Sequence, residues 1–374
     1  MTLKKLAGKI HLWLGMTSGL VVFILGITGA AFCFETELRY LVYANRYIAD
    51  SPKGTTLPLR VLKAKAQEAL GVGHPVMFAL YKPGTNETYR FRSSKFNSEG
   101  ITYFTRIVYY RTVYVNPFTG HIQYIENSKW EFFQTVLQIH NELLLGEIGH
   151  QITAWATVIF VVMLITGMVL WWPKSKAAAK QRFSIKWKAK WRRVNYDIHN
   201  VGGFYIFLLA LIISIAGIFL AFETVRKQVK LAVMSSKPKK ELPALSDTTG
   251  IKNPKALDLI ERSIAQQPAH NGLYMVSLPE AKLAPVVFTI MHNSNNYLRR
   301  SQFFFDKYTG KQLKAKPVEQ WTGSENFLNM FYDIHIGKVL GTTGQILAFI
   351  ASLFCATLPV TGFYIWWGRK KKKA

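Results

Sequence analysis

The chain has little cysteine and little acid. Only Cys33 and Cys355 occur among 374 residues, and both fall inside apolar runs. No disulfide framework is implied, and both read as small buried apolar side chains. Asp and Glu number 21 against 47 Lys and Arg, which leaves a formal charge of +26. Also missing are an HExxH pair, a P-loop, a GxGxxG after a strand and a Ser/His/Asp set. Zinc hydrolysis, phosphate-loop chemistry, dinucleotide binding and serine catalysis therefore have no residues to rest on. Without a flavin or nicotinamide domain, any redox reading needs an electron donor from outside the chain.

What is abundant is apolar sequence. Hydrophobic residues make up 49% and mean hydropathy is +0.10. Four stretches, roughly 12–34, 148–172, 201–222 and 344–367, are long enough to span a bilayer core of about 30 Å. Basic residues crowd beside them: Lys4, Lys5 and Lys9, nine in segment 173–195, and Arg369 to Lys373. With four crossings these lie on one side, and the positive-inside rule makes that side cytoplasmic. The Trp171-Trp172 and Trp366-Trp367 pairs then sit at the inner interface, where aromatic belts belong. Membrane embedding explains the basic charge through topology and anionic headgroups, and no nucleic-acid partner is implied. A cleaved signal peptide is the alternative for the first run, but its apolar stretch exceeds the usual length.

A tandem duplication underlies these runs. Ile10-His11 and Ile198-His199 are each followed by glycine at +4 (Gly15, Gly203), and Phe-Glu-Thr begins at +23 (Phe34, Phe222). Ile139-His140 and Ile334-His335 match in the same way. Glycine follows at +6 and +9 (Gly146/Gly149, Gly341/Gly344), then Thr166-Gly167 against Thr361-Gly362, then the Trp-Trp pairs. Parallel repeats related by an axis along the membrane normal put equivalent residues at equal depth. His11 would then face His199 near the cytoplasmic side, and His140 would face His335 near the outer side. Neutral imidazole is a common axial ligand for haem iron, so the spacing suggests two bis-histidine haems. The bland alternative is that symmetric interfacial histidines merely cap helices.

Each outer loop repeats a shorter plan. Leu59–Leu70 and Ala256–Ala265 carry apolar residues at helical spacing. Strand-like text follows (75–81, 87–92 and 109–115; 274–278, 286–291 and 302–305), and turns are read at Asn116-Pro117-Phe118-Thr119-Gly120 and Asp306-Lys307-Tyr308-Thr309-Gly310. One helix on a small antiparallel sheet is the economical fold for each loop.

With the histidine-headed spans, Asn/Asp-x-x-Thr-Gly turns and Trp-Trp ends, the chain resembles the PepSY-associated transmembrane-helix family, also described as iron-regulated membrane proteins. Its relatives in function would be the inner-membrane ferric-siderophore reductases. The resemblance implies a four-span protein with two b-type haems that passes electrons to a periplasmic acceptor such as a ferric siderophore. The donor stays open between a membrane quinol and a cytoplasmic flavoprotein. The expected fold is a membrane protein, mainly α, with two α+β extracytoplasmic domains and four transmembrane helices in two tandem pseudo-symmetric repeats. Its expected segments are transmembrane helix 1 (1–36), a periplasmic PepSY-like domain (37–140), helix 2 (141–172), a basic cytoplasmic loop (173–197), helix 3 (198–224), a second PepSY-like domain (225–330), helix 4 (331–368) and a basic tail (369–374). The expected haem-iron ligands are His11, His199, His140 and His335; no catalytic residue is singled out. The competing function is a membrane-anchored PepSY module that binds peptides or regulates a protease without redox activity. A transporter would need paired charges and broken helices that the spans lack.

Three points stay open. His150 aligns with Gln345 and joins no histidine pair, so it is read as interfacial, with a haem-propionate contact or ligand exchange as alternatives. Glu35 and Glu223 each have a cation one turn on (Arg39, Lys227), which reads as anchoring rather than proton handling. A continuous helix from His335 to Trp367 would measure about 48 Å, lifting His335 above the bilayer unless the paired glycines bend the chain back.

Overall fold

A computed structural model describes residues 2–50, 54–173, 175–176, 179, 182–234, 243–250, 252–267, 272–293 and 296–370. Its main helices are α1 (Leu3–Cys33), α2 (Leu59–Leu70), α3 (Phe132–Glu142), α4 (Gly146–Trp171), α5 (Trp191–Ala221), α6 (Ala256–Ala265), α7 (Gly323–His335) and α8 (Gly341–Lys370). Four of them, α1, α4, α5 and α8, are long and apolar enough to cross a membrane. Their small residues face one another. A Cβ on Gly26 would stand 2.8 Å from the backbone of Ser352 and Ala356, so α1 and α8 meet nearly backbone to backbone. Such close approach is how membrane helices gain dispersion contacts where lipid offers no hydrophobic drive.

The strands are β1 (Phe78–Tyr81), β2 (Tyr89–Phe96), β3 (Ile107–Val115), β4 (Ile122–Asn127), β5 (Leu273–Ser277), β6 (Val286–Asn293), β7 (Asn296–Phe305) and β8 (Gln312–Lys316). They form one antiparallel sheet in the order β4-β3-β2-β1-β5-β6-β7-β8. The loops were expected to fold as two domains, each with its own small sheet. Instead β1 and β5 pair across the halves, Ala79 opposite Val276. Each would otherwise be an edge with unpaired backbone groups, and pairing between the two loops satisfies them. On β2, Tyr89 and Phe91 join the core while Arg90 and Arg92 point to the opposite face, as strand alternation requires. Phe91, Val113, Val276, Phe288, Ile290 and Phe305 pack there against Leu59, Leu62 and Ala66 of α2 and Ile260 and Ile264 of α6.

Both turns fold as their residues require. The Asn116 carboxamide oxygen accepts from the amides of Phe118 and Thr119, and Asp306 does the same with Tyr308 and Thr309. Gly120 and Gly310 then take φ of 73° and 79°, which glycine adopts without strain.

The histidine-bearing segments do not run straight into the spans. In the first half α3 ends at Glu142, and Leu143 and Leu144 turn the chain with φ of 50° and 61°. In the second half α7 ends at His335, and Gly337 (φ 80°) and Gly341 (φ 61°) bracket a short turn before α8. A Cβ on Gly149 would run into the Glu142 carbonyl, and one on Gly344 into that of Gly337. The glycines thus fold α3 and α7 back against the bundle, and no 48 Å helix forms.

Candidate functional site

His11 on α1 and His199 on α5 face each other with ring centres 6.3 Å apart and planes at 87°. His140 on α3 and His335 on α7 do so at 6.0 Å and 60°. Both pairs join one half of the chain to the other. His199 sits in one wide helical turn, Ile198–Gly202, an irregularity common at functional positions.

Hydrogen bonds fix the protonation of every ring. The Thr166 hydroxyl donates to the Val162 carbonyl at 2.9 Å, so its oxygen accepts from His11 Nδ1 at 3.1 Å. His11 Nδ1 also lies 3.1 Å from the Met163 carbonyl, which can only accept. Thr361 donates to Thr357 and accepts from His199 Nδ1 at 2.9 Å. Thr28 donates to Ile24 and accepts from His140 Nδ1 at 2.9 Å. At His335 the Ile213 carbonyl accepts directly from Nδ1 at 2.9 Å. All four imidazoles therefore carry the proton on Nδ1 and leave a lone pair on Nε2. That is the tautomer a metal-ligating histidine needs, and its outer hydrogen bond also holds the ring's orientation.

Glycine backs each ring. A Cβ would lie 3.3 Å from His11 Cε1 at Gly167, 3.3 Å from His199 Cε1 at Gly362, 3.2 Å from His140 Cε1 at Gly29 and 3.0 Å from His335 Cε1 at Gly217. The braces come from the same half as the histidine (α4 for His11, α1 for His140), while the facing ring comes from the other half. The sequence did show Thr166-Gly167 and Thr361-Gly362, but as marks of the repeat without a role. Thr28-Gly29 was missed. The signal was available, since Ile-Thr-Gly at 27–29 and 165–167, Val-Thr-Gly at 360–362 and Ile-Ala-Gly at 215–217 are one pattern.

The two pairs sit at opposite ends of the bundle. His11 and Gly29 are 18 residues apart on α1, an axial rise of about 27 Å. Between them lies a buried cluster of Val22, Phe160, Leu164, Ala210 and Cys355, with Phe207 packed against it. At the sheet end, Phe219 stacks on Phe331 at 3.7 Å, one turn before His335.

His150 makes no ring pair; its Nε2 donates to the Ala221 carbonyl at 3.1 Å, closing the end of α5. Gln345, its repeat counterpart, donates to the Cys33 carbonyl at 2.7 Å, closing the end of α1. Ala221 and Cys33 are themselves equivalent, so His150 and Gln345 are one structural tie made by two residue types. Arg39 pairs with Glu35, and Lys227 with Glu223 at 2.8 Å, which gives both carboxylates an ion-pair partner. His74 packs edge-on to Tyr109, and His292 Nε2 lies 2.8 Å from Ser301 Oγ. His270 lies outside the described residues.

The residues fit an axially ligated haem by their own chemistry. Two metal–imidazole bonds of about 2 Å, plus about 1 Å from each nitrogen to its ring centre, would put two ring centres about 6 Å apart, the separation both pairs already have. Neither ring of a pair can donate to the other through Nε2, so two acceptors are left wanting an electrophile.

The family model described as the PepSY-associated TM region matches residues 9–369. No curated protein matches the chain.

Proposed function

The chain belongs to the PepSY-associated transmembrane family, and on that premise and its four braced histidines we propose that it is a di-haem reductase of the bacterial inner membrane. His11 with His199, and His140 with His335, would hold one b-type haem each. The basic ends lie on the cytoplasmic side, and the eight-stranded sheet stands in the periplasm above the His140–His335 pair. When bound, each haem would supply one-electron transfer between the two histidine pairs.

The chain's own residues do the rest. Thr28, Thr166, Thr361 and the Ile213 carbonyl orient the rings and raise the basicity of Nε2. The four glycines let the rings lie against the helices that brace them. Phe160, Phe207 and their neighbours keep water out of the middle of the bundle, which favours electron passage over side reactions. The acceptor is a ferric siderophore held by the sheet domain, where reduction of Fe(III) to Fe(II) loosens the grip of hard oxygen ligands. The single observation that carries this reading is that four rings in two facing pairs each hold Nδ1 within hydrogen-bond distance of an acceptor oxygen.

Pyridine haemochrome analysis of purified protein should give two haems per chain, with b-type bands on dithionite reduction. His11→Ala and His335→Ala should each lose one. Unchanged haem content in both variants would overturn the ligand assignment. Colourless protein would leave the membrane-anchored peptide-binding reading in its place.

A further inference from the structure

A cavity of about 680 Å³ opens at the basic end between α5 and α8. Its walls include Trp191, Tyr196, Tyr364 and Trp367, and Arg192 and Arg369 are among its cations. Trp191, Tyr364 and Trp367 are exposed on the bundle surface at the level of the Trp-Trp belt, so the cavity is reached from the lipid interface. Asn195 also lines it, and is 3% exposed.

Asn195 gives the cavity its chemistry. Its Nδ2 donates to the Thr361 carbonyl at 3.0 Å, which fixes the amide's orientation because a carbonyl only accepts. Oδ1 is therefore an acceptor, it is buried, and among the described residues it has no hydrogen-bond partner. Buried acceptors are almost always satisfied, so one left open beside a cavity calls for a donor from a ligand. The same residue touches the histidine machinery: Thr361 receives the bond from His199 Nδ1, and Asn195 stands one turn before His199. The repeat counterpart of Asn195 is Ala7, which offers no side-chain acceptor, so the feature is not scaffold kept by duplication.

We propose that this cavity binds the ring of a lipid-soluble hydroquinone, the electron donor of the redox reading above, on which the proposal rests. A hydroquinone brings what the site lacks: a hydroxyl to donate to Asn195 Oδ1, a flat ring for the aromatic walls and a tail for the lipid. Arg193 is paired with Asp197 at 3.0 Å, whereas Arg192 reaches across toward Gly368. Guanidinium charge nearby favours the phenolate that forms as a hydroxyl loses its proton. Oxidation breaks both O–H bonds and turns the ring into a quinone. Two protons pass to water at the mouth, and the two electrons leave one at a time for the one-electron acceptors, the ferric haems, that the two histidine pairs would hold.

The test uses the full protein, purified in nanodiscs and checked for haem by dithionite reduction. Decylubiquinone should quench tryptophan fluorescence saturably, and decylubiquinol should reduce the haem under anaerobic conditions. Asn195→Leu and Tyr364→Ala should each weaken quinone binding by about five- to tenfold, while Asn195→Gln, which keeps both the donor and the acceptor, retains it. Absence of saturable quenching in the wild type, an unchanged Kd in both Asn195→Leu and Tyr364→Ala, or displacement of the quinone by phosphatidylethanolamine (a headgroup site) would each overturn the proposal. Dithionite-reducible haem with no quinone binding would sink this inference alone, whereas protein without haem would sink the redox reading beneath it.

Discussion

In the first half Arg39 joins Glu35 to the buried Glu131, which also caps α3 by accepting from the amides of Phe133 and Gln134. In the second half the equivalents of Glu35 and Arg39, Glu223 and Lys227, pair on the open surface, and α7 is capped by Thr322 and Glu325. A buried, shared ion network has become a solvated pair of little energetic consequence. Around the imidazoles the halves have not drifted in this way. Gly29 matches Gly217, Gly167 matches Gly362, and even where Thr28 becomes Ala216 the Ile213 carbonyl still accepts from the ring. Groups that touch the histidines are held by geometry, because a ring moved by an ångström no longer meets its partner; a surface pair can be rebuilt from any two opposite charges.

The comparison can be broken most sharply at the glycines. Gly29→Val and Gly217→Val should each push a ring of the His140–His335 pair out of place and lose about half the bound haem, like the His335→Ala variant. Haem content per chain checks this, and loss in one variant alone would show that the halves are not equivalent there. Next come the sheet cores. Phe91→Ala and Phe288→Ala, at fully buried equivalent positions, should each cost about 3–5 kcal/mol. Because β1–β5 pairing makes one sheet, both should lower the same unfolding transition in detergent; two separate transitions would split the sheet into independent domains.

Smaller effects sharpen the picture. Thr361→Val and Thr166→Val should weaken haem retention by about tenfold by removing one acceptor from Nδ1, whereas Ala216→Thr should leave it unchanged; haem loss to apomyoglobin measures both. At the helix ties, His150→Gln should be neutral within about 0.5 kcal/mol, while His150→Ala and Gln345→Ala should each cost about 1 kcal/mol. Equal losses for His150→Gln and His150→Ala would mean that the ring does more than close α5.

The last difference lies between the turns. Burial pushes the Asp306 carboxyl up, but bonds from the amides of Asp247, Thr309 and Tyr308 and from the Thr309 hydroxyl outweigh it and hold the group below the usual carboxylate range. A depressed folded value means that its stabilisation is present above the ordinary carboxylate pKa of about 3.9. It is lost as pH falls through the lower folded value. Asn116 does the same work without a charge, so acid should loosen the second turn and spare the first, and Asp306→Asn should remove the difference. Hydrogen exchange of the two turns across acid pH decides it.

Much of this was legible in the residues. Hydropathy over about 20 positions reports a span because every residue of it meets lipid or a neighbouring helix. The histidines stood out because two ungapped matches carried them together. The tie made by His150 was hidden for the opposite reason: a His-to-Gln exchange conceals a shared hydrogen-bond donor when residues are compared by type. The braces were hidden too, since Thr28 and His140 are 112 positions apart and no local period connects them.

The sequence by itself determined the four apolar runs, the matched motifs, the four matched histidines and the two Asx turns, all of which depend on residue type and spacing along the chain. Only the tertiary structure decided which nitrogen holds the proton, that the loops share one sheet and that α3 and α7 fold back. Each of these depends on the direction of hydrogen bonds or on contacts between distant segments, and those exist only once the helices and strands have packed.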